Sequence, residues 1–185
     1  MEAVYQDKHY NLVVECKQGN RKAQYELYRL YSKAMFNIAM RILNHENEAA
    51  DILQESFLDA FTRITNFRQE TTFGLWIKQI VINRSISRLR KRKLELVSLD
   101  DLDIDTIAEP DDQEDEALQL QVLEIKKAMQ LLPDGYRVIL SLYLLEGYDH
   151  EEIAYVLNIT ESTSRTQFLR AKRKLRELLK AERYN

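Results

Sequence analysis

Thr163, Thr166, Gln167 and Arg170, followed by Arg173, Lys174 and Lys180, gather on one side of a helical projection. Hydroxyl, amide and guanidinium groups suit the edges of bases, and the Lys and Arg that follow suit phosphates. The other side of the same stretch carries Phe168, Ala171, Leu175 and Leu178 at spacings of three and four, with Ser164 one step earlier. A solvated basic face on a core helix is the plainer reading of such a run. What favours nucleic acid is the element in front of it.

That element starts at Asp149, which with Glu152 forms an acidic capping box. Ile153, Val156 and Leu157 make its apolar stripe, Ala154 lets another backbone come close, and Asn158 tolerates the left-handed conformation that ends a helix. Thr160 is then placed to cap a second helix, with Glu161 favourable at its N-terminus. Two helices around so short a turn read as a helix-turn-helix, and DNA becomes the favoured ligand.

A second basic group lies at the end of a helix predicted over 73–93. Phe73, Trp76, Ile77, Ile80 and Val81 pack inward, and Arg84, Arg88, Arg90, Lys91, Arg92 and Lys93 follow. The helix dipole accounts for part of this block; six cations within ten residues exceed that need and point to phosphates. A helix over 48–64 buries Ile52, Leu53, Phe57, Ala60, Phe61 and Ile64. Its other face sets Glu48, Asp51, Glu55, Asp59 and Thr62, with Gln54 beside them, in a nearly continuous acidic stripe facing outward. Like charges at this spacing repel. Such a stripe either awaits a basic partner or is an ordinary solvated face.

The remaining elements are also helical. Helices are predicted over 5–17, with Tyr10, Val13 and Val14 on one side, and over 21–43, with Ala23, Leu27, Leu30, Ala34, Ile38 and Ile42 inward. Tyr25, Tyr28 and Tyr31 read as packing residues, and 66–72 as a loop anchored by Phe67. Another helix spans 117–131, with Leu118, Val122, Ile125 and Met129 aligned. Pro133 turns the corner, Asp134 is placed to cap a helix over 136–145, and Gly147 closes it. Four Gly and two Pro, with helical periodicity throughout, make the fold all-α.

A net charge of −3 excludes a uniformly basic nucleic-acid protein, so any DNA contact depends on segregated charge. The two basic blocks flank a stretch dominated by Asp and Glu, too poor in apolar residues to offset its ordering entropy and therefore read as a flexible linker. Cys16 is the single cysteine, and His9, His45 and His150 show no ligand spacing, so no metal site or cofactor is expected. Neither a secretory signal nor an apolar run of membrane-spanning length is present, and a soluble intracellular protein is expected. No Gly-rich phosphate loop or activated nucleophile marks an enzyme.

Taken in order, these features resemble the bacterial RNA polymerase sigma factors of the extracytoplasmic-function group of the sigma-70 family. The run Asp51-Ile52-Leu53-Gln54-Glu55-Ser56-Phe57-Leu58-Asp59-Ala60-Phe61 looks like the helix with which that family docks on the clamp coiled coil of the largest polymerase subunit. Phe73, Trp76, Ile80 and Asn83 ahead of the basic run look like the segment that recognises and melts the −10 element. Leu132-Pro133, Glu146-Gly147, Glu151-Glu152-Ile153-Ala154 and Arg170-Ala171-Lys172-Arg173-Lys174-Leu175 look like the reader of the −35 element.

The resemblance implies a region 2-like domain over 1–95, an acidic linker over 96–117 and a region 4-like domain over 118–185. It places polymerase docking on Asp51, Gln54, Glu55, Phe57 and Asp59, and −10 contacts on Phe67, Arg68, Asn83, Arg84, Ser87, Arg88 and Lys91. Contacts with −35 fall on Ser162, Thr163, Arg165, Thr166, Gln167, Arg170 and Lys174. Ser87 stands where the family often has Asp, Ser162 where Gly is usual and Gln167 where Arg is frequent. Implied partners are core polymerase, through its clamp coiled coil and flap, promoter DNA, and an anti-sigma factor that holds the protein at the inner membrane. Two other readings stay open: a conventional helix-turn-helix regulator with a helical sensor or dimerisation domain, and an adaptor whose basic helices meet acidic proteins.

Overall fold

The computed structural model describes residues 7–96 and 116–183, with side chains over 7–92 and 121–181. The chain divides into two compact units, residues 1–101 and 102–185. Among the described residues every regular element is helical, as the periodicity predicts. The stretch expected to be a linker lies outside the described residues except at its ends, which belong to flanking helices.

The first unit contains α1 (Tyr10–Lys17), α2 (Arg21–Leu43), α3 (Glu46–Thr62), a 3₁₀ turn at Ile64–Asn66 and α4 (Phe73–Leu96). Local chemistry sets the boundaries. Asn20 caps α2 by accepting from Lys22 N at 2.9 Å, Asn44 ends it in the left-handed conformation (φ 52°), and His45 Nδ1 accepts from Glu48 N at 3.3 Å to start α3. Of the helix expected over 5–17, Tyr5 and Gln6 lie outside the described residues, residues 7–9 are not helical, and the helix begins at Tyr10. Asp7 accepts from His9 N at 2.9 Å, an Asx-type turn that holds the backbone out of the helix.

Leu27, Ile42, Leu43, Ile52, Phe73, Ile77, Val81 and Ile82 are fully buried where α2, α3 and α4 meet. Burying each such side chain contributes about 1.5–3 kcal/mol. Leu30 and Ala34, expected inward, are exposed; Met35 and Ala39 take the core positions, so the buried face turns part way along α2. Gly74 permits the close crossing of α4 on α2, because a Cβ there would lie 2.8 Å from the Tyr31 ring.

The second unit contains α5 (Glu116–Gln130), α6 (Asp134–Leu140) running into one π turn at Ser141–Leu145, α7 (His150–Leu157) and α8 (Glu161–Arg183). Its core joins Ala128, Met129 and Leu132 to Val138, Ile139, Leu140, Leu142, Ile153, Phe168 and Ala171. Val122 and Ile125, expected on the same buried face as Met129, stand exposed. Asp134 does not cap α6. Pro133 holds the N-cap position, and the Asp134 carboxylate pairs with Arg137, a guanidinium that is 3% exposed and also donates to Leu132 O at 2.9 Å. A buried cation requires its counter-charge more than the helix requires its cap.

Candidate nucleic-acid interface

The helix-turn-helix forms as its sequence dictates. Asp149 Oδ1 accepts from Glu152 N at 2.8 Å and Glu152 Oε2 accepts from Asp149 N at 2.9 Å, the complete capping box at the start of α7. Asn158 adopts the left-handed conformation (φ 54°), and Ile159 N returns to Ala154 O at 3.0 Å, which satisfies a terminal carbonyl. Thr160 Oγ1 accepts from Thr163 N at 3.1 Å and so opens α8.

A polar contact locks the two helices together. His150 Nδ1 lies 3.0 Å from the hydroxyl of buried Ser164, and the imidazole stacks on Tyr143 at 4.7 Å while meeting Phe168 edge-on. The π turn supplies Tyr143. Ser164 and Phe168 were legible in the sequence, on the inward face of the second helix; the parts of His150 and Tyr143 were not.

On α8, Thr163, Gln167, Arg170 and Lys174 recur at spacings of four, three and four and form one stripe away from the buried Ser164–Phe168–Ala171 face. Thr163, Arg170 and Lys174 are exposed and Gln167 is half-buried. Ser162 and Thr166 lie beside this stripe, where Thr166 Oγ1 donates back to Ser162 O at 2.9 Å. Arg165 falls on the far flank of the helix and pairs with Glu161. The stripe presents hydroxyl, amide and guanidinium groups over the first three turns, then an ammonium, which is an arrangement for base edges followed by phosphate.

In the first unit the acidic stripe of α3 splits in two. Arg84 Nη2 lies 3.1 Å from Asp59 and its Nη1 3.3 Å from Glu55; Arg88 reaches Glu55 at 3.2 Å and Arg92 reaches Glu48 at 3.2 Å. These pairs form a ladder between antiparallel helices, so three cations of the basic block and three carboxylates of the stripe face each other. What remains outward on α3 is Asp51, Gln54, Leu58 and Thr62, with Glu55 at the margin. Phe57, expected as a docking residue, is 3% exposed and packs edge-on against Tyr28. Leu58, part of the docking run but not among the residues expected to make the contact, is the exposed apolar group on that face at 69%.

Between α3 and α4 runs an open cleft lined by Glu55, Asp59, Asn83, Arg84, Ser87 and Arg88, with Lys91 at one side. Asn83 and Ser87 sit one turn apart on its rim, and Ser87 Oγ donates to Asn83 O at 2.8 Å. Phe67, expected to touch DNA, is buried and stacks on Trp76 at 4.7 Å. It is the floor of loop 67–72, not its contact surface. Arg68 and Glu70 are exposed on the loop, 4.0 Å apart, and Gln69 between them has φ 61°. Among the described residues no group of three or more His, Cys, Asp or Glu is placed to hold a metal, and no helix is long and apolar enough to cross a membrane.

Comparison with known proteins covers both units. The family model described as Sigma-70 region 2 matches residues 27–95, and that described as Sigma-70, region 4 matches residues 123–175. The chain is 28% identical over 177 residues to the ECF RNA polymerase sigma factor SigW of Bacillus subtilis, covering 91% of this chain and 95% of that protein. It is 29% identical over 154 residues to SigM of the same organism, covering 83% and 93%. Among solved structures, the sigma factor RpoE in complex with the anti-sigma factor NepR from Bartonella quintana shares the fold, with a TM-score of 0.63, 24% identity and coverage of 84% of this chain and 96% of that one.

Proposed function

The chain belongs to the sigma-70 family, in its extracytoplasmic-function group, and serves RNA polymerase as a promoter-specificity factor; on that premise we propose how its residues divide the work. The first unit, as a region 2-like domain, docks on the clamp coiled coil of core polymerase through Asp51, Gln54, Glu55 and Leu58. Asp59 supports that face from the seam. The α3–α4 cleft and loop 67–72 receive the −10 element: Arg84, Arg88 and Lys91 take phosphates, Asn83 and Ser87 line the path of the strand, and the loop holds a base extruded from the duplex through Arg68 and Glu70.

The second unit, as a region 4-like domain, lays α8 in the major groove at the −35 element. Gln167 reads adenine and Arg170 guanine, with Ser162, Thr163 and Thr166 beside them, while Lys174 holds the backbone. Arg165, on the far flank, reaches a phosphate once released from Glu161. The observation that carries this reading is the polar stripe of α8, set apart from the buried Ser164–Phe168–Ala171 face, in a chain whose preceding unit matches region 2. A conventional regulator would leave that match unexplained.

No step of this work is catalytic. We infer that the protein acts in the cytoplasm, with polymerase, and that an anti-sigma factor restrains it there or at the inner membrane; what supports an anti-sigma partner is that RpoE, a relative in fold, forms a complex with the anti-sigma factor NepR. The test is transcription of sheared genomic DNA by sigma-free core polymerase with and without this protein. Discrete new start sites sharing two upstream elements are expected. Tight duplex binding by the protein alone, without new starts, would refute the reading.

A further inference from the structure

We propose that the first helix, with the turn that leads into it, is a brace for loop 67–72, and that Lys17 and Asp7 are positioning residues for base selection at the −10 element. The inference rests on the reading of that loop as the base pocket. Both ends of the loop are tied to the start of the chain through backbone groups. Lys17 Nζ donates to Phe67 O at 2.7 Å and lies 5.9 Å from the Phe67 ring centroid. At the other end, Asp7 Oδ2 accepts from Phe73 N at 2.7 Å, 66 residues away in sequence, while its Oδ1 accepts from His9 N at 2.9 Å. His9 Nδ1 in turn lies 2.7 Å from Tyr31 Oη, and the Tyr31 ring packs on Phe73 at 5.4 Å.

The loop needs such ties. Gln69 has φ 61°, a conformation that a residue with a Cβ adopts only at a cost and keeps only where its surroundings fix it. Of residues 68–72 none is buried, so packing of the loop's own side chains does not supply that constraint. Two charge-assisted hydrogen bonds, one cation to the entry carbonyl and one carboxylate to the exit N–H, do. Because they grip backbone, the brace fixes the shape of the pocket without depending on which base it takes. Thr72 Oγ1, accepting from Leu75 N at 3.2 Å, caps α4 and leaves the Phe73 N–H to Asp7.

The experiment uses holoenzyme reconstituted with Lys17→Met, Asp7→Asn or Lys17→Arg on a promoter mapped as above and on versions changed at single −10 positions. Expected is a fall of about fivefold or more in the ratio of open-complex rates between the native and changed elements for Lys17→Met and Asp7→Asn. Affinity for core polymerase stays unchanged, and Lys17→Arg keeps most of the discrimination. If the ratio stays at the parent value while the rate falls only in step with thermal stability, or if nothing changes, the brace is refuted. Arg68→Ala and Glu70→Ala in the same assay separate two failures. If they too leave discrimination intact, the base-pocket reading is wrong and the brace falls with it; if they abolish it and Lys17→Met does not, the brace alone is wrong.

Discussion

Arg84 and Asp59 lie 3.1 Å apart across the seam between α3 and α4, with Glu55 bridging from Arg84 to Arg88. The pairing joins the face proposed to meet polymerase to the face proposed to meet DNA. Phosphates therefore compete with these carboxylates for the two guanidinium groups. Asp59→Asn and Glu55→Gln should raise the affinity of the isolated protein for single-stranded DNA severalfold at low salt, with the gain vanishing at high salt. Fluorescence anisotropy with a labelled oligonucleotide reads this directly. The same substitutions should cost about 0.2–1 kcal/mol of stability each in urea titration, as expected for half-exposed pairs. Unchanged affinity would remove Arg84 from the phosphate contacts.

Leu58 and its neighbour Phe57 should behave in opposite ways. Leu58 is exposed on the docking face and Phe57 is buried beneath it. Leu58→Asp should lower affinity for core polymerase by about tenfold or more while leaving the melting temperature of the protein unchanged. Phe57→Ala should instead destabilise the first unit by roughly 3–5 kcal/mol through lost burial and a residual cavity. Thermal melts beside a core-binding titration distinguish the two.

The contrast between these residues shows where a sequence is legible. Signals carried within a few residues were read correctly: the Asp149–Glu152 box, the Asn158 stop and the Thr160 cap all form as their spacing requires. Signals carried by a partner far along the chain were not. The ladder from Glu48, Glu55 and Asp59 to Arg92, Arg88 and Arg84 depends on two helices lying antiparallel, so neither the acidic stripe nor the basic block announces that it is half neutralised by the other. Phe67 was placed on the loop but its stacking on Trp76 was invisible; Asp134 is the exception among local signals, since it stands in the first turn of α6 yet pairs with buried Arg137 three residues on and leaves the N-cap position to Pro133. The two charged groups were thus legible as sets, while which of their members are exposed and which are paired or buried needed the fold.

Cys16 provides a pH probe of the first unit. Burial, helped by the neighbouring Glu15 carboxylate, pushes its thiol from 9.0 up to about 11. The folded protein holds this proton more tightly than the unfolded chain does, so the stabilisation is complete below pH 9.0 and is lost as pH rises toward about 11. Urea unfolding followed across that window should show stability falling with pH, and Cys16→Ala should flatten the cysteine-dependent part of the slope. A thiol reagent at neutral pH should label Cys16 only when the unit unfolds. Prompt labelling of the native protein would contradict the burial.

Gln167 and Lys174 share the polar stripe of α8 but should carry different information. Gln167 is half-buried and two turns before Lys174, and Lys174 is exposed with Glu177 3.5 Å away on the same helix; in the proposed docking the first pairs with a base edge and the second with the backbone. Removing a bidentate amide costs about 1–3 kcal/mol against its own base and little against others. Gln167→Ala should therefore flatten the preference at one −35 position, measured as relative transcription from promoters randomised there. Lys174→Ala should weaken all of those promoters equally and reduce the slope of log affinity against log salt by about 1. Equal weakening of every sequence by Gln167→Ala would make Gln167 a backbone contact and leave Arg170 as the reader of the element.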